Sequence, residues 1–272
     1  MNKIIKESIS LTNANLSLVT PLIIFSIISG LYMLLSVGGN VLNLLLAALL
    51  LFLMLSAFLS GWLYMIRLSV QNKDEDKPIF SKDFTEGVGS YFLSVCGLLI
   101  LVIVFMFLVL LFAKFVGAKI IGNVGISISS LQNAMVSPAE LKAFLGTLST
   151  EQIIKLNQWN ILFLFFIAGA YFLMIFYLPV LFFKDKNPFK AFYICIKDLF
   201  SKCFFRTLLI YIFLASLYFF ISVLSAIFSQ YLLINFVITL INFYYLVFAS
   251  ILIFNHYYLN FIKAGSNINL TV

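Results

Sequence analysis

No Asp, Glu, Lys or Arg interrupts the chain from Ser8 to Ile66, from Gly87 to Ala113, from Leu156 to Phe183, or from Thr207 to Ile262. These runs are 59, 27, 28 and 56 residues long. A membrane-spanning helix needs about 20 apolar residues, so each middle run holds one span and each outer run holds two. Only 10% of the residues are charged, against about 25% in soluble domains. The sequence therefore predicts an all-α, polytopic membrane protein with six transmembrane helices, near 18–37, 41–66, 91–116, 158–182, 206–228 and 232–261. The fold-back points are "SVGGN" (Ser36 to Asn40), whose glycines suit a tight turn, and "FSQYL" (Phe228 to Leu232), where Gln230 supplies the polar break.

Lys and Arg flanking the spans predict the orientation. With six spans both termini share a side. That side holds Lys3, Lys6, Arg67, Lys73, Lys77, Lys82, Lys184, Lys186, Lys190, Lys197, Lys202, Arg206 and Lys263, and the other holds Lys114, Lys119, Lys142 and Lys155. Thirteen against four places both termini in the cytoplasm and the protein in the cytoplasmic (inner) membrane. The net charge of +7 is then a topology signal with some attraction to anionic lipid. It makes no continuous basic patch, so nucleic acid is not an expected partner. The first apolar run is span-length with no small-x-small cleavage site after it, which argues against a cleaved signal peptide. Cys96, Cys195 and Cys203 form no disulfide or metal-knuckle spacing.

An amphipathic pattern recurs before the odd-numbered spans. In Asn187 to Lys202, Phe189, Phe192, Tyr193, Ile196, Leu199 and Phe200 share one side, while Lys190, Lys197, Asp198 and Lys202 take the other. Asn187 can cap this helix and Pro188 suits its first turn. Rings at the acyl boundary and lysines near phosphates make it a membrane-interface helix, with Phe189, Phe192, Tyr193, Ile196, Lys197 and Phe200 as its contact residues. A weaker copy follows Ser81, with Phe80, Phe84, Val88, Tyr91 and Phe92. A third lies at the N-terminus, with Ile4, Ile5, Ile9 and Leu16 on one side. The chain is thus expected to be a single transmembrane domain of three hairpin units (about 1–67, 78–183 and 187–263), each preceded by a cytoplasmic interfacial amphipathic helix. An external insertion over 118–157 opens the middle hairpin. Its capping boxes, "SPAE" at Ser137 and "STEQ" at Ser149, predict two short helices, the second running into the fourth span.

The chemistry-bearing patterns are sparse. No charge is expected within a hydrocarbon core, which disfavours ion-coupled transport. One histidine cannot supply H-E-x-x-H, and no G-x-S-x-G or Walker pattern occurs. No catalytic residue, metal site or cofactor is expected, and the protein is not expected to be an enzyme. Five of the ten acidic residues (Asp74, Glu75, Asp76, Asp83, Glu86) crowd one linker. Their spacing is not that of a calcium loop; Asp74 to Asp76 suit a solvated turn, and Asp83 and Glu86 suit a helix start. The sixth span carries the best polar feature: Asn235, Thr239, Asn242, His256 and Asn260 fall on one heptad face. These five are the candidate lining of a substrate cavity. The same face equally suits interhelical hydrogen bonds, worth about 0.6–2 kcal/mol per pair. Small residues in the second span (Ser56, Ala57, Ser60, Gly61) and "AGA" at Ala168 to Ala170 suit close helix packing.

From Ser60 to Phe92 the sequence resembles a family of uncharacterised prokaryotic six-span membrane proteins. The matching residues are Gly61-Trp62, Ile66-Arg67, Pro78, Phe80, Asp83-Phe84 and Gly87. It departs at Trp62, where tyrosine is usual, and at Lys77-Pro78, where Leu-Pro is usual. A broader similarity is to the membrane domain accompanying some glycerophosphodiester phosphodiesterases. The resemblance implies architecture and no particular activity. The expected role is membrane organisation or scaffolding for lipid or a protein partner, the latter at loop 68–90 or the 118–157 insertion. A permease-like role for a lipid or apolar solute is the alternative.

Overall fold

The computed structural model describes residues 2–36, 41–73, 81–126, 137–201 and 203–263. The expected turn at Gly38 to Asn40, the acidic tip at Asp74 to Asp76, Pro78, Phe80 and residues 127–136 of the insertion lie outside them. The elements are α1 (Asn2–Ala14), a 3-10 turn (Leu16–Leu18), α2 (Val19–Ser36), α3 (Val41–Gln71), α4 (Ser81–Ile120), α5 (Pro138–Thr147), α6 (Thr150–Leu173), α7 (Tyr177–Phe183), α8 (Pro188–Leu199), α9 (Phe204–Ile227) and α10 (Leu232–Tyr257). A π turn (Tyr258–Lys263) extends α10. Among the described residues there is no strand. Among the described residues six stretches are long and apolar enough to cross a bilayer: Leu16–Leu34, Val41–Gln71, Lys82–Ile120, Thr150–Phe183, Phe204–Ile227 and Leu232–Lys263. This is an all-α, multi-pass membrane protein.

The chain divides into two compact units, Met1–Leu101 with Leu173–Val272, and Val102–Phe172. In the first, burial is concentrated toward one end of the helices. Along α3, Val41 and Leu42 are 74% and 62% exposed, whereas Ile66 and Val70 are fully buried. In a bilayer, lipid tails satisfy the exposed apolar side chains as well as protein would, so tight packing is needed only where polar groups gather.

That packing begins where α3 crosses α4. A Cβ on Gly87 would lie 2.9 Å from the Ser60 carbonyl oxygen and 3.0 Å from the Gly61 Cα, so two backbones meet there. A Cβ on Gly61 would strike the Phe84 ring at 2.6 Å. Ser56 and Ser60 are buried on the same stretch, and their hydroxyls donate to the carbonyls of Phe52 and Ser56. Of the small residues of the second span, Ser56, Ser60 and Gly61 therefore do pack closely. At Gly169, by contrast, a Cβ would meet nothing within 4 Å.

Two amphipathic segments differ from expectation. No separate helix precedes the third span, because α4 runs unbroken from Ser81. Its buried stripe, Gly87, Tyr91, Val95 and Leu98, keeps one helical phase through the junction, so nothing calls for a bend. At the N-terminus, α1 buries Ile4, Ser8 and Thr12 and leaves Ile9 and the following Leu16 exposed. Ile4 packs on Ile210, Leu214, Phe248 and Leu252. Thr12 satisfies its hydroxyl on the Ser8 carbonyl at 2.8 Å, and Asn255 of α10 donates to the Ser8 hydroxyl at 3.3 Å. Ion pairing of Lys73 with Glu7 also holds α1 down.

The fourth span is not one helix. Residues 174–176 form a turn between α6 and α7, and Pro179, which has no N–H and clashes with a preceding carbonyl, explains the break. The Tyr177 N–H turns to the Met174 carbonyl at 2.9 Å. The Leu173 carbonyl, freed by that shift, accepts instead from the Cys195 thiol at 3.3 Å. The turn after α9 forms at the expected Phe228 to Leu232, with Tyr231 N–H donating to the Phe228 carbonyl.

In the second unit Ser137 caps its helix without a return bond from Glu140 among the described residues, and the box at Ser149 forms in full. Ser137 accepts from the Glu140 N–H at 3.2 Å, with Pro138 opening α5. Ser149 and Gln152 exchange hydrogen bonds of 3.0 and 3.3 Å at the start of α6, which continues into the span. Trp159 of α6 packs over Gly117 of α4 and donates to the Gly122 carbonyl at 3.2 Å.

The α3–α4 crossing makes a paired prediction. Gly87→Ala should lower stability by about 1–3 kcal/mol through overpacking. Gly89→Ala, two residues on with nothing within 4 Å, should raise it by about 0.5–1 kcal/mol through helix propensity. Thermal unfolding of the two variants in the same detergent reads both signs.

Candidate functional site

The polar face expected along the sixth span separates into two places. At its basic end His256 is buried between α10 and α9. Its Nε2 lies 3.0 Å from the Thr207 hydroxyl, and its Nδ1 lies 3.0 Å from Asn260 Nδ2. The partners decide the tautomer. Asn260 Nδ2 can only donate, so Nδ1 accepts; Thr207 spends its proton on the Cys203 carbonyl at 2.9 Å, so Nε2 carries the hydrogen. Asn260 uses its second N–H on the His256 carbonyl at 2.6 Å. Every nitrogen is occupied, which makes His256 a neutral peg joining two helices. Beside it Asn255 is fully buried. It lies off the heptad face, so the sequence pattern passes over it.

Nearer the other end of α10, Thr239 and Asn242 line a cavity of ≈ 440 Å³ with Ser222 and Ser225 of α9 and Ser229 of the turn after it. Asn242 Oδ1 is buried with no hydrogen-bond partner among the described residues. Asn235 is not part of the lining, but its carbonyl accepts from the Thr239 hydroxyl at 2.9 Å. From Asn242 to His256 is about 20 Å along the helix, and Val247, Phe248, Ile251 and Leu252 are buried in between. His256 and Asn260 therefore do not share the cavity.

A second hollow, ≈ 720 Å³ and almost wholly apolar, opens between α2, α3 and the start of α4. Ile24, Phe25, Ile28 and Met54 line one part, and the hydroxyl residues Ser17, Thr20 and Thr85 line another. Here α2 and α3 run antiparallel. Trp62 Nε1 donates to the Leu18 carbonyl at 2.9 Å, Phe25 stacks on Phe58 at 4.3 Å, and Phe84 covers Gly61. That register collects the three hydroxyls at the Trp62 level and leaves the deeper part to hydrocarbon side chains.

The interface-helix candidates fall on α8, whose cap forms as expected: Asn187 Oδ1 accepts from the N–H groups of Phe189 and Lys190 at 3.0 and 3.3 Å. Ala191, Cys195 and Leu199 are buried on the inner side. Phe189, Tyr193, Lys197 and Phe200 are exposed, while Phe192 and Ile196 are half-buried. Two contacts tie α8 to its neighbours. Asp198 takes the Lys184 ammonium at 2.7 Å and the Tyr257 hydroxyl at 2.5 Å. Burial pushes the Cys195 thiol up to about 12, so it is an inert core group. Among the described residues no three His, Cys, Asp or Glu side chains gather as a metal ion would require.

Two outcomes follow from this geometry. Thr207→Val leaves a buried Nε2–H without an acceptor and should cost about 1–3 kcal/mol. Thr239→Val, on an exposed cavity wall, should stay within about 0.5 kcal/mol; thermal unfolding in detergent separates them. N-ethylmaleimide should modify Cys203 in the folded protein and Cys195 only after unfolding in dodecyl sulfate, as read by peptide mass spectrometry. Equal labelling of the two in the fold would contradict the burial argument.

Compared with known proteins, the chain matches no family model, no curated protein and no solved structure.

Proposed function

We propose that this protein is a non-enzymatic organiser of the cytoplasmic membrane that works by holding lipid, with both termini on the cytoplasmic side. The apolar groove between α2, α3 and α4 carries the reading. Its ≈ 720 Å³ falls within the range of about 300–1,000 Å³ typical of ligand pockets. It opens between membrane spans, where acyl chains are the solvent. Its hydroxyls sit at one end and its hydrocarbon lining at the other, which is the polarity of an amphiphile. The outward rings of α8 and its flanking lysines suit the boundary between acyl chains and headgroups, and the excess of Lys and Arg on one side supports the orientation. Kinship with the six-span family belongs to the same proposal; Gly61, Trp62, Phe84 and Gly87, which carry the likeness, also build the α3–α4 crossing and its contact with α2.

The permease-like alternative rests on the smaller cavity, where the unpartnered Asn242 oxygen could receive a polar solute. The apolar layer between that cavity and His256 counts against a path along the sixth span.

A phosphatidylcholine bearing a diazirine on one acyl chain tests the lipid reading in reconstituted vesicles. Photolabel should concentrate on peptides containing Ile24 to Ile28 and Met54 to Phe58, and Ala57→Trp, which fills the groove, should remove it while the fold melts normally. Label spread evenly over all six spans would defeat the proposal.

A further inference from the structure

Arg67 is the first charge after the 59-residue run and Lys186 lies three residues past the 28-residue run. Both therefore stand where hydrocarbon gives way to headgroups. They converge on one side chain. Arg67 donates to the Tyr91 hydroxyl at 2.6 Å, and the Lys186 ammonium lies 4.6 Å from the centroid of the Tyr91 ring. Arg67 Nε donates to Gln71 at 3.0 Å, and the guanidinium carbon lies 5.8 and 5.9 Å from the ring centroids of Tyr64 and Phe183. The guanidinium is thus positioned by rings and neutral oxygens.

What it lacks is an anion. Among the described residues Lys73, Lys155, Lys184 and Lys190 each pair with a carboxylate, whereas neither Arg67 nor Lys186 does. Glu86 is taken by the Tyr64 hydroxyl at 2.9 Å. Tyr91 spends its own proton on the Phe182 carbonyl at 3.3 Å. Three of the five guanidinium N–H groups have no protein acceptor among the described residues. A fixed planar fork beside a mobile ammonium is the pairing that suits a phosphate: the fork gives two parallel hydrogen bonds and the ammonium adds a point charge.

We propose that Arg67 and Lys186, gathered by Tyr91, form a binding site for a phosphate oxyanion at the membrane surface, supplied by the headgroup of an anionic lipid. The site is separate from the α2–α3–α4 groove and stands without it. Carboxylates on neighbouring cations leave this pair as an uncompensated positive charge at the level where lipid phosphates lie.

Native mass spectrometry of the full chain in detergent tests it with three probes: phosphatidylglycerol, phosphatidylcholine and inorganic phosphate. Phosphatidylglycerol should bind in preference to phosphatidylcholine. Lys186→Gln and Arg67→Gln should each weaken that binding several-fold and together by about tenfold or more, and Arg67→Lys should restore only part of it. Lys190→Gln, already paired to Asp185, and the groove variant Ala57→Trp should leave it unchanged. Lys186 is exposed, so Lys186→Gln reports on the site even if Arg67→Gln fails to fold. Undiminished phosphatidylglycerol binding by folded Lys186→Gln would overturn the proposal, as would equal binding of both lipids. Inorganic phosphate that displaces the lipid from the wild-type chain and loses affinity in the same variants would keep the oxyanion site but overturn the lipid source.

Discussion

The contact between α3 and α4 at Gly61 and Gly87 is the constraint on which the cluster of Phe84, Arg67 and Tyr91 depends. Helices in a bilayer gain little from hiding apolar surface, since lipid is as apolar as leucine. They gain from close approach, and close approach needs small residues. Here the backbones come near enough that the Ser60 carbonyl would crowd any Cβ at Gly87. Once that distance is set, Phe84 covers Gly61 and Arg67 reaches Tyr91. Tyr91 stacks on Phe182 at 4.4 Å, so α7 is brought into the same cluster. From the other side of α3, Trp62 fastens the start of α2.

Around this crossing, polar groups are arranged so that few remain unpaired. An unsatisfied backbone or side-chain group costs several kcal/mol in hydrocarbon. Ser56, Ser60 and Thr12 return their hydroxyls to carbonyls of their own helices. His256 is neutral between Thr207 and Asn260. Even the helix break at residues 174–176 has its freed Leu173 carbonyl answered by a thiol. Among the described residues the exceptions include the unpartnered oxygens of Asn242 and Asn255, and Arg67 and Lys186 meet on Tyr91 without a carboxylate. The functional proposals concern lipid because the apolar groove lies between spans and Arg67 and Lys186 lie at span ends.

Some elements were legible in the sequence for plain reasons. Charge-free runs marked the spans, because a buried charge is too costly to leave ambiguous. Ser137, Ser149 and Asn187 announced helix starts, because capping uses local hydrogen bonds. Other elements were hidden. Ser8 and Thr12 share the helical face of Ile4, but their polar side chains hid their burial, which rests on Asn255 of α10 for Ser8 and on the Ser8 carbonyl for Thr12. The heptad count placed His256 with Asn242, yet a packed apolar layer keeps them apart. Arg67 and Lys186 are 119 residues apart in the chain, so no spacing rule could join them on Tyr91.

What the sequence determined by itself is a membrane protein of six apolar helices, because hydropathy and charge act locally and each span must satisfy its own backbone. What only the tertiary structure decided is which faces meet. Lipid satisfies any apolar face equally, so composition cannot say which one turns inward. That choice fell to a few contacts: a backbone approach allowed by two glycines, a histidine with two polar neighbours, and one tyrosine shared by two cations.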